Sequence, residues 1–212
     1  MKKLLFLFSI LLFISCSKEE FTTYKEMKSD KLLSKSFTDN ELENLAKIID
    51  FFEEQICEEG SNKERCYRNF LKKDSIRLVN ENEMYWFDYK KQEKLYSDLD
   101  TSFFNSFWVK STGFARLEKE KEIRYNYFHL IVYNDVGFTK YANFIQKFGL
   151  ENKFIKEYFK SIEMSIDFFT PITPISLTIN HNNFNKKDIK IRLIYSFHYL
   201  NINEENNYIH IK

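Results

Sequence analysis

Apolar positions fall in helical register over much of the chain. In FTDNELENLAKIIDFFEEQIC (residues 37–57), Leu42, Leu45, Ile49, Phe52 and Ile56 recur three or four apart, on one helix face. Thr38 and Glu41 are spaced for a capping box, and Phe37 with Leu42 for a hydrophobic staple across the helix start. Gly60 falls just past the end of this pattern, where a residue tolerant of left-handed backbone fits. Ser61 and Glu64 repeat the capping-box spacing and predict a second, shorter helix to about Lys73. Together they make a helical hairpin. Residues 17–36 ahead of it are polar, with no sustained apolar period, and read as a flexible tether.

Further along, the pattern is mixed. Residues 75–112 are ambiguous, with KKQEKLYSDL and DTSFFNSFWV reading as short helices joined by turns. EIRYNYFHLIVY alternates Ile123, Tyr125, Tyr127, His129, Ile131 and Tyr133, which reads as a strand. Residues 139–148 return to helical spacing through Tyr141, Phe144, Ile145 and Phe148, and Gly149 marks the stop. A further helix from about Glu151 to Phe168 carries Phe154, Ile155, Tyr158, Phe159, Ile162 and Ile166 on one stripe and Lys156, Lys160, Glu163 and Asp167 opposite. Pro171 and Pro174 end it. The last apolar run, DIKIRLIYSFHYL, satisfies both periods. Helix is preferred, because Asn185 or Asp188 can cap it and no tight turn offers a partner strand. The expected fold is mainly α: one helical domain over residues 37–212, with a capped hairpin near its start and a small β element.

The chain opens MKKLLFLFSILLFISC. Lys2 and Lys3 precede an apolar run from Leu4 to Ile14. At about 1.5 Å per residue, that run covers only about half of a ~30 Å hydrocarbon core, and it has the layout of a cleavable export signal. Its end, Phe13-Ile14-Ser15-Cys16, resembles the lipobox of bacterial lipoproteins. That resemblance implies thioether lipidation of Cys16 and cleavage before it. Residues 1–15 are then a signal peptide, and residues 16–36 a lipidated flexible tether holding the domain to the outer membrane, periplasmic or surface-exposed. Ser17-Lys18-Glu19-Glu20 is similar to the export tag of Bacteroidetes surface lipoproteins. NKFIKEYFKSIE and RLIYSFHYL resemble segments of uncharacterised, mostly helical Bacteroidetes lipoproteins, and that resemblance brings no catalytic residues. The alternative is a plain secretory signal with an incidental cysteine.

Composition narrows the picture. Loss of Lys2 and Lys3 with the signal takes the formal charge from +1 to −1, so no basic excess draws the chain onto nucleic acid. Four Gly and two Pro leave few helix breakers. Aromatic residues make 18 % of the chain. Abundant Lys, Asn and Ile point to an AT-rich genome, which accounts for much of that excess without a sugar-binding surface.

Candidate chemistry is sparse. With Cys16 lipidated, Cys57 and Cys66 remain as an even pair in an oxidising compartment, at positions the hairpin brings together. A ten-residue loop gives about 2.7 kcal/mol of chain-entropy stabilisation. The alternative is two buried free thiols. No histidine stands at zinc-ligand spacing from either cysteine, and His129, His181, His198 and His210 form no HExxH or HxH pattern. His198 lies inside an apolar run, the usual setting of a core histidine. Glu163 and Asp167 share a helix face with Lys156 and Lys160 and read as solvated, like the LEKEKE run at 117–122. STG at 111–113 lacks a nucleophile elbow, and four scattered glycines form neither a phosphate loop nor a dinucleotide fingerprint. The expected function is non-catalytic binding or scaffolding at the outer membrane, with the membrane as partner through Cys16, a protein partner, and no cofactor or metal. An immunity lipoprotein that neutralises a toxin is one specific form. A hydrolase with a site assembled from His198 and carboxylates is the alternative from another class.

Overall fold

A computed structural model describes residues 22–58, 60–81, 87–116, 122–134, 137–165 and 177–209. Cys16, the signal peptide, the LEKEKE run as far as residue 121, Asp167, both prolines and His210 lie outside the described residues.

The fold is built around its last helix. α9 (Ile189–Ile209) is buried at every position from Ile191 to Glu204. A helix surrounded by protein needs no polar face, so apolar residues occupy most of its circumference and the period that distinguishes helix from strand is blurred. Asp188 caps it, its carboxylate accepting from Lys190 N–H at 2.9 Å. The preferred helical reading of 189–200 therefore holds.

Against α9 lies α3 (Asp39–Ile56), with Leu42, Leu45, Ile49 and Phe52 of the predicted face buried and Ile56 half-buried at its end. Its capping box is complete: Thr38 N–H donates to Glu41 Oε2 at 2.7 Å, and Glu41 N–H to Thr38 Oγ1 at 3.4 Å. α4 (Lys63–Glu81) forms the other arm of the hairpin. It differs from expectation at both ends. Ser61 donates to Glu58 O, and the cap is Asn62, whose Oδ1 accepts from Arg65 N–H at 3.0 Å. The helix also runs eight residues past Lys73, to Glu81.

Residues 22–36 are not a tether. They form α1 (Thr23–Ser29) and α2 (Lys31–Ser36), capped by Thr22 and Asp30. Met27 and Leu33 are fully buried. Glu26 accepts from Arg192 at 2.6 Å, and Asp30 from Lys190 at 2.8 Å, so both segments are tied to α9. Helices of seven and six residues show too few turns for an apolar period, and tertiary contacts hold them.

α5 (Tyr89–Asp98) and α6 (Thr101–Phe107) are the two short helices expected there, capped by Asp88 and Asp100. β1 (Trp108–Arg116) and β2 (Glu122–Leu130) form an antiparallel ribbon in the register Trp108↔Leu130. Residues 122–130 are thus strand, as their alternation predicts. The outer edge of β2 is covered by α9: Phe128 N–H donates to Glu204 Oε1 at 3.0 Å and Leu130 N–H to Asn201 Oδ1 at 3.3 Å. After the small pair β3 (Tyr133–Asn134) and β4 (Gly137–Phe138), a second hairpin follows, α7 (Lys140–Gly149) and α8 (Lys153–Ser165). Of its predicted stripe residues, Tyr141, Phe144, Ile145, Phe148, Ile155, Tyr158, Phe159 and Ile162 are buried, Phe154 is half-buried, and Ile166 lies outside the described residues. Among the described residues no helix is long and apolar enough to cross a membrane.

Candidate functional site

The two cysteines of the first hairpin meet. Cys57 follows the last turn of α3, Cys66 lies one turn into α4, their Cα atoms are 5.3 Å apart, and a disulfide joins them. The joined ends of α3 and α4 border a groove of about 460 Å³. Its α4 wall carries Arg65, Asn69, Lys73 and Arg77, spaced four apart, so they follow one another along one side of the helix. Gln55, Ile56 and Glu58 line the side facing them, and half-buried Phe70 adds an aromatic surface.

The base of the groove is fixed by a buried hydrogen bond. Tyr199 on α9 donates to Asp74 Oδ2 at 2.6 Å and stands 3.3 Å from Thr178 Oγ1. Its ring stacks on Phe52 at 5.4 Å and meets Phe70 edge-on at 4.9 Å. Burial, and then the Asp74 charge, push the Tyr199 hydroxyl well above the usual phenol range, so it remains a donor. Arg65 and Lys73 are exposed and enter no ion pair among the described residues.

Two other polar networks lie deeper. In the first, Glu53 Oε1 accepts from Arg192 Nε at 2.7 Å and from Tyr67 Oη at 3.3 Å, while Lys63 Nζ lies 2.6 Å from Oε2. Burial opposes the charge on Arg192, but Glu53, Tyr67 and Glu26 outweigh it and raise its pKa further. In the second, Glu204 accepts from Tyr89 Oη at 2.9 Å, Gln92 Nε2 at 3.1 Å and the Phe128 N–H. Phe87 N–H donates to Asn203 Oδ1 at 2.6 Å. These bonds join α1, α3, α4, α5 and β2 to α9, and they occupy the buried carboxylates Glu53, Asp74 and Glu204 with internal donors.

The histidines are spread over separate elements. His129 is half-buried on β2 beside Tyr127. His198 is buried on α9, edge-on to the rings of Tyr158 and Tyr199. His181, in a short 3-10 turn (His181–Asn183), is buried, and its carbonyl accepts from buried Lys186. Burial, then Lys186, lowers the His181 pKa; burial, then Arg68, lowers that of Lys186. Glu163 lies on the exposed face of α8 with Lys156 and Lys160. Among the described residues no group of three or more His, Cys, Asp or Glu could hold a metal ion.

Sequence reasoning identified the cysteine pair but missed the groove and the networks. The Arg65–Asn69–Lys73–Arg77 spacing was the available signal, hidden by ending the helix at Lys73. Glu53 with Arg192 had no local signal, because 139 residues separate them. No family model, no curated protein sequence and no solved structure matches this chain.

Proposed function

We propose that this is a lipid-anchored envelope protein whose role is binding rather than catalysis. One contrast carries the binding half of the reading. Glu53, Asp74 and Glu204, the buried carboxylates best placed by environment for acid–base work, are spent on internal hydrogen bonds. The groove, by contrast, carries accessible polar groups, with Arg65 and Lys73 facing solvent. A recognition surface needs such outward-facing groups on a rigid support, and the disulfide with the Asp74–Tyr199 bond provides that support. The anchor rests on the order of basic start, apolar run, small residue and cysteine at residues 2–16. Two or more acyl chains on Cys16 hold a protein stably where one does not.

Expression of the wild-type chain and of Cys16→Ala, followed by separation of membranes from soluble material, tests the anchor. Wild type should sediment with membranes and the variant should appear in the soluble fraction. A variant that stays with the membrane as fully as wild type overturns it.

A further inference from the structure

The groove on α4 has a lining and a charge spacing that point to its occupant. At about 1.5 Å per helical residue, Arg65 and Lys73 stand about 12 Å apart along the axis, and Arg65 and Arg77 about 18 Å. A helix satisfies its own backbone hydrogen bonds, whereas an extended chain leaves its N–H and C=O groups open to side-chain partners. Arg65 and Lys73 are exposed, and Arg77 is half-buried at the far end. Gln55 and Asn69 add side-chain amides able to bond a peptide backbone, and Ile56 with Phe70 offers apolar contact.

We infer that the groove binds an extended acidic segment of a protein partner. An extended chain advances about 3.3 Å per residue and alternates its faces. Four residues therefore span about 13 Å and six about 20 Å. Acidic residues at i, i+4 and i+6 all point to the same side, and these intervals match Arg65, Lys73 and Arg77. A lone phosphate headgroup is too compact to engage cations 12 Å apart. A nucleic acid strand puts a charge at every step and would set phosphates against Glu58 and Asp74, which share the groove. A peptide with spaced carboxylates avoids both. This inference rests on the binding reading proposed above and is independent of the anchor, so membrane fractionation and the assay below fail separately.

The test uses the full chain purified in detergent and a fluorescent ten-residue peptide with Glu at positions 2, 6 and 8 among Ser, Thr and Ala. An isomeric peptide with its three Glu adjacent, glycerophosphoserine and a ten-nucleotide thymidine oligomer serve as competitors. The spaced peptide should bind, more weakly as salt is raised. The double variant Arg65→Glu/Lys73→Glu should bind it at least about tenfold more weakly, given two opposed pairs in place of two attractive ones. Both positions are exposed, so the variant should keep the wild-type melting temperature. The inference is overturned if the spaced peptide does not bind at millimolar concentration or if the folded variant binds it as well as wild type. Displacement by the clustered peptide, glycerophosphoserine or oligomer at equal or lower concentration than unlabelled spaced peptide also overturns it.

Discussion

The two helical hairpins close in different ways. α7 and α8 turn within Leu150–Asn152 and close by packing: six of the ten residues of α7 are buried, and a Cβ added at Gly149 would lie 3.0 Å from Lys156 Cα. α3 and α4 are joined by a longer loop, and α4 buries little beyond Cys66, Tyr67, Leu71, Asp74 and Leu78. There the disulfide supplies the closure. A hairpin held by packing must present apolar surface to its neighbour. One held by a covalent bond can leave much of its second helix polar, and α4 uses that freedom to line a groove with cations.

That contrast can be broken most forcefully at α7. Phe144 is fully buried, with Phe37 at 5.6 Å between ring centroids. Phe144→Ala should cost about 3–5 kcal/mol in urea unfolding. A loss below about 1.5 kcal/mol would mean that packing is not what holds the second hairpin.

Next in size is the covalent clamp. Replacing Cys57 and Cys66 by serine should lower stability by about 2.7 kcal/mol, the chain-entropy value for a ten-residue loop. If stability barely changes, the α3–α4 hairpin is held by its packing, and the proposed division between the hairpins fails.

The glycines sharpen the comparison at about 1 kcal/mol. Gly60 has φ +73° and open space around it, so its constraint is backbone handedness alone. Gly60→Ala should cost about 1 kcal/mol, and Gly60→Asn less, because Asn tolerates that conformation. Gly149 has ordinary helical backbone and is crowded by Lys156. Gly149→Ala should cost about 1 kcal/mol net of its helix-propensity gain, and Gly149→Asn more than Ala. Thermal melts of the four variants check the opposite order of Ala and Asn at the two sites.

The smallest effect is in pH. His181, in the 3-10 turn beside α4, has its pKa depressed below 6.5 by burial and then by Lys186. As pH falls through 6.5 the unfolded chain takes up this proton and the folded chain does not, so stability declines below that point. Glu41, bonded to Lys140 of α7, behaves otherwise. Burial raises its pKa, but Lys140 and Thr38 outweigh burial and hold it below 4.5. The stability it contributes is full above 4.5 and is lost only as pH falls through the lower folded value. The urea midpoint should therefore drop between pH 7 and 5 in wild type, and drop less in His181→Gln. Equal slopes in the two would remove the link to His181.

Legibility in the sequence followed the range of the forces involved. The capping box at Thr38–Glu41 is a local hydrogen-bond pattern, and it appears in the structure as written in the chain. So do the stripes of α7 and α8, each facing one side of the core. α9 hid its period because protein surrounds it. α1 and α2 escaped notice because Glu26 and Asp30 find their partners, Arg192 and Lys190, some 160 residues away. In the candidate site, the cysteine pair was readable from its placement at the two capped ends of the predicted hairpin. The groove was not, since its length depends on how far α4 runs, and the apolar spacing that marks a helix is weak beyond Lys73.

The early folding of the chain at Thr22 has a consequence for reach. Under the anchoring proposed above, six residues of chain separate Cys16 from the first described helix, and six residues extend to at most about 20 Å. The domain then skims the headgroups on a short leash instead of ranging across the compartment. A partner confined to the same sheet of lipid would then be met in a two-dimensional search, where closeness raises effective concentration without any change in the groove itself.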